Sequence, residues 1–255
     1  MTGRLELAAF DARDIDTLAS FYVALTGWDI VRRESDWITV RAADGQEVAF
    51  QLAPDHIPPQ WPGQQQPQQF HLDLQVDGTE AAAERAVALG ATRLADGPTW
   101  ITLADPAGHP FDLCQADGVG PLMKLFAVTI DAPDALALGR FYAELLGMEV
   151  TYDGPEGALI TGAGKSVMFQ QVGEYTAPAW PDPARPQQAH LDVIVDDLEF
   201  GQKRPLTSAR RGWTVAASGF GSSPIPPGIR SASPCSATRS VTLDGPWASA
   251  ASEQM

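Results

Sequence analysis

The chain is written twice. At an offset of about 120 residues, FYVALTGWDI from Phe21 returns as FYAELLGMEV from Phe141, VAFQLAP from Val48 as VMFQQVG from Val167, and QFHLDLQVD from Gln69 as QAHLDVIVD from Gln188. Solenoid repeats are far shorter, ~20–50 residues, so each copy has to bury a core of its own rather than form one rung of a stack. The 255 residues, 44% of them hydrophobic, suffice for two such units.

Each copy is itself double. In the first, LELAAFD reads as a strand, and Asp14 can cap a helix whose apolar positions Ile15, Leu18, Phe21, Tyr22 and Leu25 recur at helical spacing until Gly27 ends it. The strands WDIVRR, DWITVRA and QEVAFQLA follow, the last two joined by a turn at Asp44 and Gly45. The pattern then restarts. FHLDLQV is a strand, 79–89 a helix closed by Gly90, and ATRLA, TWITLA and HPFDLC are strands. One copy therefore holds two βαβββ modules, 4–53 and 69–116.

FYxxLxG after the first strand, FHLDLQVD opening the second module, and LGATRL followed by DPAGHPFDL closing it resemble the vicinal oxygen chelate superfamily, the group of glyoxalases, bleomycin-resistance proteins and extradiol dioxygenases. The resemblance covers 4–116 fully and 123 to about 200 in part. It implies an α+β, glyoxalase-like fold in which two βαβββ modules pair their sheets into an open cup. Here that means two tandem domains, complete in 1–118 and incomplete in 119–200. It further implies that a divalent metal, where one is held, takes a side chain from each of four strands. Carried onto this sequence, those positions fall on Leu7, Gln51, His71 and Asp112 in the first copy. In the second they fall on Ala127, Gln170, His190 and a fourth that the sequence does not supply. Leucine and alanine cannot donate. His71 and Asp112, with Gln51 as a third, are the candidate ligands for Fe, Mn, Zn, Ni or Mg, and a complete site needs a shifted donor or one from another chain.

Strand alternation puts His71, Asp73 and Gln75 on one face of FHLDLQV and Phe70, Leu72, Leu74 and Val76 on the other. His71 is then either a ligand or a cup histidine hydrogen-bonded to Gln51 or Asp112. Asp73 is either a site carboxylate or a strand-edge one, and Gln51 and Gln170 are amides able to orient a ligand. His56 and His109 read as loop residues. In the loop DHIPPQWPGQQQPQQ, Pro58, Pro59, Pro62 and Pro67 bar a continuous helix and Trp61 offers a large apolar face, with Trp180 at the matching place in the second copy. Such a Trp either lines the cup entrance or pins the crossover onto the sheet.

A net charge of −15 opposes approach to nucleic acid or an anionic membrane, leaving small molecules as the expected ligands. MTGRLELAAF lacks a basic stretch followed by a long apolar run, and the expected location is cytoplasmic. Cys114 and Cys235 have no metal-binding spacing, and no disulfide is expected in a reducing compartment.

The charge is uneven. Residues 1–200 hold 11 basic and 30 acidic side chains, 201–255 hold 6 and 2, and serine rises from 3 to 10 across the same boundary. The tail reads GSSPIPPGIRSASPC where LADPAGHPFDL should recur. Back-translated and read from the last base of the Gln202 codon, 202–213 becomes EAAVDLGATRL, close to ERAVALGATRL from Glu84. Read likewise from Phe220, 220–234 becomes RVFADPAGHPFCLA. Only the first base of each shifted codon is free, so codon choice does not account for both. The tail 201–255 is expected to be an out-of-frame, disordered translation of the closing module. A genuine Ser- and Pro-rich tail would share its composition but not the hidden repeat. A half-domain left this way exposes apolar sheet and favours pairing with another chain, a homodimer being one outcome.

Leu7 and Ala127 favour a small-molecule-binding cup without a complete metal site, with Gln51, His71, Asp73, Asp112, Gln170 and His190 as polar groups and Trp61 at the rim. The alternative is a metal-dependent lyase or dioxygenase that polarises vicinal oxygens of its substrate through His71, Asp112 and Gln51.

Overall fold

A computed structural model describes residues 3–177, 182, 184–195, 214–216 and 242–244. The first module is β1 (Arg4–Ala12), α1 (Ile15–Thr26), β2 (Asp29–Arg33), β3 (Trp37–Arg41) and β4 (Glu47–Leu52). The second is β5 (Phe70–Val76), α2 (Thr79–Ala88), β6 (Thr92–Asp96), β7 (Trp100–Ala104) and β8 (Pro110–Gln115). The third, β9 (Lys124–Ala132), α3 (Ala135–Leu146), β10 (Glu149–Gly154), β11 (Gly157–Gly162) and β12 (Lys165–Gln171), repeats the first, and β13 (Ala189–Ile194) opens a fourth. The elements expected in the first copy all form. Their ends follow local chemistry: Asp14 accepts from the Thr17 N–H at 2.9 Å and Gly27 takes φ 76°, while Asp134 and Gly147 do the same for α3.

The modules do pair their sheets, but not within a copy. β1 runs antiparallel to β13, with Ala9 opposite His190, and β5 runs antiparallel to β9, with His71 opposite Thr129. The result is an eight-stranded sheet in the order β10-β11-β12-β9-β5-β8-β7-β6 and a five-stranded sheet in the order β13-β1-β4-β3-β2. The expectation that 4–53 and 69–116 close one cup between them is therefore corrected: the cups lie between the second and third modules and between the first and fourth.

The physical reason is that the modules of one copy meet through their helix-covered faces, which leaves the edges of β1 and β5 free for other partners. Phe21 and Tyr22 of α1 pack edge-on against Phe111 of β8, with ring centroids 5.9 and 6.1 Å apart, and Tyr22 stacks on Phe50 of its own sheet at 5.3 Å. Trp28 donates its indole N–H to the Met123 carbonyl at 2.8 Å, and Arg85 caps Leu25 at the end of α1 at 3.0 Å. The connection 116–123 is short and brings β9 straight back beside β5, whereas the Pro-rich crossovers 53–69 and 172–188 carry the chain from one sheet to the other. The two crossovers meet at Gln69 and Gln188, each donating its backbone N–H to the other's side-chain oxygen, at 3.0 and 3.4 Å.

His56 and His109, read as loop residues, are buried. The His109 ring lies 3.2 Å from Asp105, to which Tyr22 donates its hydroxyl at 3.0 Å, and His56 packs on His109 with centroids 4.8 Å apart. They anchor the first crossover to the turn before β8. Tyr22→Phe removes the hydroxyl donor from this buried carboxylate and is expected to cost about 1–3 kcal/mol, read as a lower urea midpoint at unchanged slope.

The tail falls almost wholly outside the described residues. Its described parts, β14 (Thr214–Ala216) and β15 (Thr242–Asp244), pair with each other and join neither large sheet. Among the described residues, no strand stands beside β13 in the place that β8 holds beside β5.

Candidate functional site

Alternation along β5 turns His71 and Asp73 into the cup of the eight-stranded sheet, where both are buried, and the parallel neighbour β8 places Asp112 directly beside Asp73. His71 Nε2 lies 3.5 Å from Asp73 Oδ1 and 3.9 Å from Asp112 Oδ2. From β9, Thr129 donates its hydroxyl to the other oxygen of Asp73. Cys114 stands behind, its sulfur 4.0 Å from Asp73, and burial beside the two carboxylates pushes its thiol up, so it is no nucleophile near neutral pH.

The other ring nitrogen of His71 is held by a residue from the crossover. The Gln68 amide nitrogen is 3.0 Å from His71 Nδ1 and 3.1 and 3.2 Å from the two oxygens of Asp131 on β9. With Gln68 donating, Nδ1 accepts and the ring proton sits on Nε2, between Asp73 and Asp112. Burial alone would lower the imidazole pKa, but Asp73, Asp112 and Asp131 outweigh it and raise it to about 9. Taking the second proton requires Gln68 to turn its amide so that oxygen faces Nδ1. Burial also raises the Asp112 pKa, and brings Asp131 to about 6 against the pull of His71.

A cavity of about 240 Å³ adjoins this cluster on the far side of Gln68, walled by Asp131 and Gln170 and roofed by Trp61 of the first crossover and Tyr175 of the second. Trp61 is among the residues lining this cavity, while Trp180 lies outside the described residues. His71, Asp73 and Asp112 are not on the cavity wall. Gln68 is the link between them.

The expected set of site residues is thus split. His71, Asp73, Asp112, Trp61 and Gln170 come together, but Gln51 is on β4 of the five-stranded sheet, in register with Asp11, and His190 is on β13 of that same sheet. Gln51 as a third ligand beside His71 and Asp112 is corrected, because β4 pairs with β1 and β1 with β13. The place of the third donor is taken by Asp73: His71, Asp73 and Asp112 offer ligand atoms within 4.8 Å of one another.

The other cup repeats the floor arrangement. Gln187 stands 3.0 Å from His190 Nδ1 and 3.2 Å from Asp11, and His190 Nε2 lies 3.3 Å from Asp192. Gln68, Gln187, Thr129, Asp131 and Asp192 did not emerge from sequence reasoning. The doubled glutamines before each HLD strand, and the continuation of the alternation from Ala127 to Thr129 and Asp131, were the available signals.

The sequence profile of the glyoxalase-like domain matches residues 8–114 and again 127–216. The chain belongs to that family. Among solved structures it is similar to glyoxalase I from Zea mays, at 19% identity and a TM-score of 0.51, with 69% of this chain and 70% of that one covered. It is also similar to a putative dioxygenase from Bacillus subtilis, at 14% identity and a TM-score of 0.53, with 84% and 77% covered. At such identities the likeness carries the fold and not the activity. No curated protein matches the sequence. The glyoxalase-like domain accounts for the α+β architecture and for the doubled repeat, and no helix among the described residues is long and apolar enough to cross a membrane.

Proposed function

We propose that this protein binds a small molecule in the cup between the second and third modules. The observation that carries this reading is the cavity of about 240 Å³ between the two crossovers, lined by two aromatic residues, Trp61 and Tyr175, together with the polar groups Asp131, Gln68 and Gln170. The His71 cluster behind Gln68 holds that amide in place and thereby orients the polar wall. Gln51 and His190 belong to the second cup and take no part in this site.

One observation favours a second reading, a metal-dependent catalyst. His71, Asp73 and Asp112 supply one nitrogen and two oxygens on adjacent strands, a donor set that fits a divalent ion once Gln68 turns its amide oxygen toward Nδ1, so that Nδ1 keeps the ring proton and Nε2 is free to bind. Bound there, a metal would act as a Lewis acid toward a ligand oxygen. Elemental analysis before and after EDTA separates the two readings. The binding reading expects ligand affinity to be unchanged by the chelator. A stoichiometric transition metal whose removal abolishes binding, and whose return restores it, would move the assignment to the metal-dependent class.

A further inference from the structure

The chemical class of the ligand is legible in the charge of the cavity. Its wall carries two carboxylates, Asp131 and Glu174, and among the described residues no lysine, arginine or histidine lines it. Asp131 reaches the cavity from β9 and is largely withdrawn from water, with the Gln68 amide as hydrogen-bond partner to both its oxygens. An anion entering here would meet two negative groups in a protein whose net charge is already −15. A neutral ligand would leave the partly desolvated carboxylate with only the Gln68 amide and the neighbouring His71 to offset its charge. Trp61 and Tyr175 line the same cavity, and aromatic rings attract cations through their quadrupole and also accept apolar surface.

We propose that this cavity selects an organic cation, a ligand with a positively charged nitrogen on an apolar or aromatic body. The nitrogen points at Asp131 and the body lies between Trp61 and Tyr175. This rests on the reading of the cavity as a small-molecule site. At the nitrogen the Asp131 carboxylate and the side-chain oxygen of Gln170 accept from a protonated amine, and the bond to Asp131 is charge-assisted. A carboxylate ligand could accept from the Gln170 amide or the Thr176 hydroxyl but would meet Asp131 and Glu174 at the same wall.

The test uses three probes of one shape: phenethylammonium, phenethyl alcohol and hydrocinnamate. Each is titrated calorimetrically into the full-length protein. The expected order is phenethylammonium tightest by about ten-fold over the alcohol, with hydrocinnamate weakest. Asp131→Asn should remove that ten-fold advantage, read as the ratio of the ammonium and alcohol affinities within the variant. Glu174→Gln, at an exposed position, provides a second variant with a smaller loss in the same direction should Asp131→Asn fail to fold. Equal or tighter binding of hydrocinnamate, or an ammonium advantage that survives both substitutions, overturns the charge class while leaving the cavity a ligand site. Absence of binding by all three overturns the reading on which it rests.

Discussion

Residues 1–118 expressed alone are expected to elute as a dimer, and folded monomer should be undetectable. In the full chain β1 and β5 each hydrogen-bond to a strand contributed from beyond residue 118, β13 and β9 respectively. Cutting the chain there leaves two unpaired edges carrying buried apolar positions, Ala8 and Phe10 on one and Leu72 and Leu74 on the other. Such edges pair with whatever complementary strand is available. A second copy supplies one, because β9 is the repeat of β1: LFAVTID stands where the first copy has LELAAFD. Two fragments can therefore join β5 of each to β1 of the other and rebuild both sheets with two-fold symmetry, an isologous interface. Size-exclusion chromatography with light scattering reads the outcome. A fragment that is monomeric and as resistant to urea as the whole chain would show that the copy closes on itself, against the pairing described above.

In EDTA-treated protein, thermal stability is expected to decline as pH rises through the range 6.5 to about 9, the interval between the ordinary imidazole pKa and that of His71 in the fold. The raised value means that the native state holds a proton there which the unfolded chain has released. The stabilisation is thus complete below 6.5 and is lost as pH climbs through 9, amounting to on the order of 3 kcal/mol. On the acid side His56 acts in the opposite sense. Burial and the neighbouring His109 lower its pKa to about 4, so stability is lost as pH falls from 6.5 toward 4. Asp131 offsets part of that limb: its pKa is raised from 3.8 to about 6, and its contribution is lost as pH rises through that window. His71→Gln should flatten the alkaline limb and leave the acid one in place, and melting curves across pH read both. An alkaline limb unchanged by that substitution would mean the proton is not on His71.

Much of this architecture is legible along the chain. The repeat, the helix caps at Asp14 and Asp134, the glycines at Gly27 and Gly147, and the alternation that turns His71 and Asp73 the same way are all local properties. A strand period of two decides which side chains share a face, whatever lies beyond the strand's edges. For the same reason His71 and Asp112 stand together and Gln170 lines the cavity, while Gln51 and His190 lie on the five-stranded sheet, apart from the residues with which the resemblance grouped them.

Partnership between strands is a different kind of fact. The backbone donors and acceptors along an edge are the same for every sequence, and β1 and β9 present the same apolar alternation to β5, so either satisfies the local pattern. The choice falls to packing far from the edge, where Phe21 and Tyr22 lodge against Phe111 and turn the first two modules back to back. From that one arrangement follow the loss of Gln51 from the His71 cup, the arrival of Thr129 and Asp131 in it, and the meeting of two crossovers as the roof of one cavity. The sequence by itself determined the modules and the faces of their strands, because those depend on neighbours in the chain. The tertiary structure alone decided which modules share a cup, because that depends on how the helix faces bury their aromatic side chains.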